Sequence, residues 1–229
     1  MSAAQLGCNL LPIIVGITGH RDIPPEYAVE LENRVESQLL QLQRQYPHCP
    51  VIVLSSLADG ADRICARAAL KAGCRLRVPL PMAREEYEKD FDEISRREFG
   101  ELLSQADDIF VAAAIEPVPE SPPRGYFYRQ AGLYIAKRAH LLIALWDGRE
   151  TLYPEGGGTF ESVDLMRREN GIVFHIPAPR LSAPETVMPE AEVVLQEDKR
   201  LSAIEEFNLA IVAQKEKLND MVAQSKSDL

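Results

Sequence analysis

The sequence predicts an α/β fold: a doubly wound, mostly parallel six-stranded sheet of the Rossmann-like kind, with an extra C-terminal helix. Three observations predict it. Six short runs are mostly apolar, as strands buried on both faces are. Helical patterns separate these runs, and a strand–helix order with right-handed crossovers winds a parallel sheet. The chain has 229 residues, 46% of them hydrophobic, enough for one sizeable core.

Ile13–Thr18 is the first strand, and residues 26–45 then place Leu31, Val35, Leu39 and Leu42 on one helical face. Val51–Leu54 is the second strand, followed by a helix over Gly60–Lys71 that stops at Ala72 and Gly73. Arg75–Leu80 is the third. Residues 84–106 read as one helix with Tyr87, Phe91, Ile94, Leu102 and Ala106 facing inward. Ile109–Ala114 is the fourth strand, and a Pro-rich loop over Glu116–Arg124 leads away from it. Tyr126–Arg138 is a helix, Leu141–Trp146 the fifth strand, Gly156–Asn170 a glycine-started helix and Ile172–Ile176 the sixth strand. The domain is expected over 10–178, a Pro-rich acidic linker over 179–200 and a C-terminal helix over 201–229.

Charge and cysteine usage set further bounds. A formal charge of −10 argues against a global electrostatic grip on nucleic acid or anionic lipid, so neither nucleic acid nor a membrane is an expected partner. Met1–His20 has no basic n-region and no small-residue cleavage site, and it reads as a strand entering a loop rather than a signal peptide. No other apolar run approaches the length of a membrane span. Cys8, Cys49, Cys65 and Cys74 form no CxxC or zinc spacing, and buried free thiols of a reducing, cytoplasmic setting are expected. No metal site is predicted.

In an open parallel sheet, ligands bind beyond the carboxyl ends of the strands. Three small-residue segments converge there. Gly19, His20 and Arg21 follow the first strand; Ser56, Asp59, Gly60 and Arg63 follow the second; Trp146, Asp147 and Gly148 end the fifth, with Gly156, Gly157, Gly158 and Thr159 shortly beyond. The glycine run at a helix start lets backbone amides approach a phosphate, and Thr159 adds a hydroxyl. Arg21 is the expected partner of a phosphate oxygen and Arg63 a second cation. Asp59 or Asp147 would accept from ribose hydroxyls, and Trp146 would offer a stacking face. The chain lacks GxxxxGK[ST], GxGxxG and GxSxG, which argues against Walker-type NTPases, ordinary dinucleotide dehydrogenases and α/β-hydrolases.

On these residues the chain resembles the SLOG superfamily. The resemblance rests on Ile17–Arg21 (ITGHR), Leu57–Arg63 (LADGADR), Ala139–Gly148 (AHLLIALWDG) and Gly156–Thr159, and it covers about residues 10–178. That group unites the DNA-processing protein A domain, lonely-guy phosphoribohydrolases, molybdenum-cofactor carriers and predicted nucleotide sensors of bacterial conflict systems. The sensor branch is the best match, and it implies a small-molecule ligand related to NAD or ADP-ribose. The resemblance also implies two alternatives. A nucleoside-monophosphate phosphoribohydrolase would use a carboxylate beside the ribose, and Glu161 is the acid nearest the motif. It falls one position earlier than in lonely-guy enzymes, and Glu155 stands where they have a glycine. A molybdenum-cofactor carrier would use the same phosphate logic.

Residues 201–224 place Ile204, Phe207, Ile211, Leu218 and Met221 at a/d spacings, interrupted by Gln214. This stripe is expected to face a second copy or an effector partner.

Overall fold

The computed structural model describes residues 10–150, 158–182 and 198–227. The six strands are β1 (Ile13–Gly19), β2 (Val51–Leu54), β3 (Arg75–Leu80), β4 (Asp108–Val111), β5 (Leu141–Trp146) and β6 (Ile172–Pro177). They form one sheet in the order β4-β3-β2-β1-β5-β6, and every pairing is parallel. The described helices are α1 (Ala28–Gln45), α2 (Ala61–Lys71), α3 (Arg84–Tyr87), α4 (Glu93–Leu103), α5 (Arg124–Arg138), α6 (Thr159–Arg168) and α7 (Lys199–Ser227). Successive strands step one way from β1 and the other way from β5. The chain therefore reverses its winding between those two neighbours, and a crevice opens at their carboxyl ends.

The core explains the central strands. Ile13, Val15, Val53, Leu76, Leu142, Ala144 and Leu145 have essentially no exposed surface. α1 buries Leu31, Val35, Leu39 and Leu42 against this sheet, each contributing about 1.5–3 kcal/mol relative to an exposed side chain.

Three elements depart from the sequence reading. The helix expected over residues 84–106 is broken into α3, a 3₁₀ turn at Glu88–Asp90, and α4. Asp92 starts α4 by accepting the Ser95 backbone N–H at 2.8 Å, a cap that competes with continuous helix. The break leaves Tyr87, Phe91 and Phe99 packed edge to face or tilted, while Ile94 is 71% exposed rather than inward. β4 ends at Val111 and, at the edge of the sheet, is largely exposed rather than buried on both faces. α6 starts at Thr159, not Gly156.

The C-terminal helix also differs. Among the described residues it buries Leu201, Asn208 and Val212, whereas Phe207, Leu218 and Met221 are exposed. Asn208 holds the start of the domain by accepting from Leu11 N and donating to Leu11 O and His48 O. Glu205 accepts from the His48 backbone. The first half of α7 is thus a brace on its own domain, because a buried amide with three backbone partners outweighs the exposed a/d stripe as an anchor. The segment expected as a loose linker is tied at its beginning: Leu181 N donates to Asp22 O at 2.8 Å and Arg180 pairs with Asp22 at 2.9 Å. Residues 183–197 lie outside the described residues. Cys49, Cys65 and Cys74 are buried and free, and Cys8 lies outside the described residues. Among the described residues no helix is long and apolar enough to cross a membrane.

Candidate functional site

A cavity of about 720 Å³ occupies the crevice. β1 delivers Thr18, Gly19, His20, Arg21 and Asp22 to it, the loop and helix start after β2 deliver Ser56, Ala58 and Asp62, and β5 delivers Trp146, Asp147 and Arg149. Gly158 and Thr159 at the start of α6 close one side, and Arg180 and Ser182 stand on the rim after β6. The polar wall carries both signs of charge.

Close packing of backbone makes the loops converge. A Cβ on Gly19 would lie 2.4 Å from the Ala61 Cβ and 2.5 Å from the Leu145 carbonyl oxygen, so only glycine lets β1, β5 and α2 meet here. Gly60 has φ +75°, and a Cβ there would lie 2.5 Å from the His20 oxygen. The backbone of His20 is fixed on both sides: its N–H donates to Leu145 O and its oxygen accepts from Ala61 N.

The His20 side chain is buried, with Nε2 3.0 Å from Asp147 Oδ1 and 3.1 Å from the Asp147 backbone N. A neutral ring satisfies one of these at a time, according to its tautomer. Desolvation is the largest effect on His20 and lowers its pKa, against the raising influence of Asp147. For Asp147, desolvation is again the largest influence and raises the carboxyl. The Arg149 N–H at 3.1 Å and His20 overcome it, so the net shift is downward and Asp147 stays ionised. Asp62 behaves oppositely. Burial pushes its carboxyl up to about 6, although the Ala58 N–H and Arg21 favour its charge.

Of the expected site residues, Gly19, His20, Arg21, Ser56, Trp146, Asp147, Gly158 and Thr159 line the cavity. Gly156 and Gly157 lie outside the described residues. Arg21 reaches the cavity half exposed and, among the described residues, has one ion pair, to Asp59 at 3.7 Å. Ser56 has its hydroxyl proton committed to the Pro79 carbonyl. Others are corrected. Arg63 is 2% exposed and does not line the cavity. The inward turn of α2 cages its guanidinium among Leu57 O, Ser95, Glu98 and Asp59, over the Phe91 ring. Asp59 is consumed by the same network and by Ser95 Oγ at 2.6 Å. Gly60 and Gly148 shape the backbone from outside the lining. Trp146 is 3% exposed and already stacked on Phe160 at 6.1 Å, which leaves little of its face for a ligand. Glu161 points to Arg129 at 2.6 Å rather than to the cavity.

Sequence reasoning passed over Asp22, Asp62, Tyr87, Tyr128, Arg149 and Arg180, which line the cavity. Asp62 had a sequence signal, standing three residues past Asp59 on the same helix start. Asp22 and Arg149 directly follow Arg21 and Gly148, whereas Tyr87, Tyr128 and Arg180 come from positions that only the fold brings together.

No family model matches the chain, and no curated protein matches it. Solved structures of similar fold exist. DNA processing protein A from Streptococcus pneumoniae is 18% identical over 76% of this chain and 53% of its own, with a TM-score of 0.49; this chain spans about half that protein's length. DNA processing protein A from Helicobacter pylori, described by its single-stranded DNA binding mode, is 16% identical over 93% of this chain and 85% of its own, with a TM-score of 0.48. The molybdenum-cofactor carrier of Chlamydomonas rheinhardtii is 15% identical over 71% of this chain and 74% of its own, with a TM-score of 0.39. These are two of the kinds of protein that the SLOG resemblance names. The likeness is one of fold.

One expectation is overturned by this comparison. The net charge suggested that nucleic acid is not a partner, yet a protein of similar fold is described by its binding of single-stranded DNA. Net charge is a poor guide because charges act locally, with screening over about 8 Å at physiological salt. Arg21, Arg149 and Arg180 face the cavity whatever the total.

Proposed function

We propose that the cavity binds a phosphate-bearing nucleotide or nucleotide-derived ligand, and that the domain senses it rather than transforming it. One observation carries the reading: Gly158 and Thr159 at the start of α6, together with Arg21 and Arg180, surround a single cavity at the sheet's winding reversal. Free amides at a helix start and guanidinium groups are complementary to phosphate oxygens. A sensing role is supported by Glu161, whose carboxylate is engaged with Arg129 and so is not offered to a glycosidic bond.

Calorimetry with ADP-ribose, NAD, cyclic nucleotides and a short single-stranded oligonucleotide tests this reading. Arg21→Ala is expected to weaken binding by roughly 10- to 100-fold, as for the loss of one charge-assisted contact. Unchanged affinity in both Arg21→Ala and Gly158→Asp places the ligand elsewhere. Release of free base from nucleoside monophosphates, lost in Glu161→Gln, replaces the sensor with a hydrolase. A strand that displaces the nucleotide makes the polymer the ligand.

A further inference from the structure

The cavity has a second end that the proposed phosphate contacts leave unused. Ser56 and Asp62 after β2, Pro81 and Tyr87 after β3, and Tyr128 of α5 form it. β3 and β5 are three places apart in the sheet, so at the usual strand spacing their carboxyl ends stand about 14 Å from one another. A ligand anchored at α6 has room to extend a ring system to this end.

Its polar groups are arranged for recognition. Asp62 lines the cavity and is only partly exposed; its carboxylate takes the Ala58 N–H on Oδ2 at 3.3 Å and also meets the Ser55 hydroxyl and the Ser56 N–H, which leaves it acceptor capacity toward the cavity. Tyr87 is 1% exposed, and its ring is held edge-on by Phe91 and Phe99 at 5.0 and 5.7 Å. Among the described residues its hydroxyl makes no hydrogen bond, and it is not fully enclosed, so it is open to the cavity. The hydroxyl of Tyr128 is taken by Asp90 and Arg124, so that residue offers the cavity its ring. The walls are therefore aromatic and apolar, with one carboxylate and one uncommitted phenol between them.

We propose that this end selects a nitrogen heterocycle carrying an amino group, whose N–H donates to the Asp62 carboxylate while a ring nitrogen or carbonyl accepts from the Tyr87 hydroxyl. The inference rests on the proposed nucleotide reading and names the class of base. An ionised carboxylate only accepts hydrogen bonds. It rewards an amino group and repels a carbonyl oxygen in the same place, which turns a general nucleotide cavity into a selective one. The base goes here rather than to Trp146, whose stacking surface Phe160 covers.

The test is calorimetry of the full chain with ADP, GDP and CDP, which carry an amino group, against IDP and UDP, which do not. All five present the same diphosphate. ADP or GDP is expected to exceed IDP, or CDP to exceed UDP, by about tenfold or more, the effect of one charge-assisted hydrogen bond. Asp62→Asn, which can pair with either edge, is expected to bring that pair within about twofold, and Tyr87→Phe to weaken the preferred nucleotide about threefold or more with the fold intact by circular dichroism. Equal affinity across the five overturns the inference while leaving the phosphate reading in place. So does a preference that survives Asp62→Asn in a folded protein and is unaffected by Tyr87→Phe. A preference that follows the ribose hydroxyls, lost in a 2′,3′-dideoxy analogue and indifferent to the amino group, overturns it too. If neither these nucleotides nor pyrophosphate bind, the phosphate reading falls as well.

Discussion

The segments that follow β1 and β2 carry an arginine apiece, and the fold puts them to opposite uses. Arg21 follows β1, is 47% exposed and, among the described residues, has one ion pair at 3.7 Å. Arg63 sits one turn into α2, is 2% exposed, and is held by Asp59, Ser95, Glu98 and a backbone carbonyl. In sequence both are a basic residue shortly after a strand. The difference is the helix: α2 carries position 63 round to the face that packs on α4, while position 21 stays in a loop at the cavity. An arginine buried with several partners is structural, and one left half solvated beside a cavity is available to a ligand.

The largest effect expected is at the buried site. Arg63→Ala leaves the Leu57 carbonyl without its donor and empties the space over the Phe91 ring, while Glu98 keeps Arg67 and Asp59 keeps Ser95; it is expected to cost about 3 kcal/mol by chemical denaturation. A loss below about 1 kcal/mol would erase the contrast with Arg21. Next comes Gly60→Ala, which adds a Cβ 2.5 Å from the His20 oxygen at a φ of +75°. It should destabilise by roughly 2 kcal/mol or more and disturb the His20–Arg21 loop along with α2. Proteolysis of that loop reports the second part.

Asp62 sharpens the comparison through pH. Its folded pKa of about 6 lies above the ordinary 3.8, so the folded state binds the proton more tightly than the unfolded chain does. The stabilisation from this group is complete below about pH 4 and is lost as the pH rises through 6. Asp62→Asn does not titrate. It should therefore gain on the natural protein between pH 4.5 and 7.5 by on the order of 1–3 kcal/mol, measured by urea midpoints at each pH. A constant difference across that range removes the buried charge from the account. The smallest effect is Arg21→Ala, whose exposed pair should be worth less than about 0.5 kcal/mol of stability, although the same change is expected to weaken ligand binding. A large fall in melting temperature would show that Arg21 is as structural as Arg63.

The sheet was legible because strands buried on both faces require mostly apolar runs, a pattern no surface helix shares. β2 and β5 accordingly fall on the predicted residues, and so does β3, whose two arginines alternate with apolar positions. The convergence of Gly19, His20, Asp147 and Thr159 was legible as well, since parallel winding brings every strand's carboxyl end to one edge of the sheet. Tertiary structure alone decided which way side chains turn from that edge. It sent Arg63 and Asp59 into a packed network and covered Trp146 with Phe160. It also brought Tyr87, Tyr128 and Arg180 to a cavity that no local pattern connects to them. The positions of the strands follow from the hydrophobic pattern along the chain. The direction of a polar side chain depends instead on which distant carboxylates, carbonyls and rings reach it first, and those are fixed only when the layers pack.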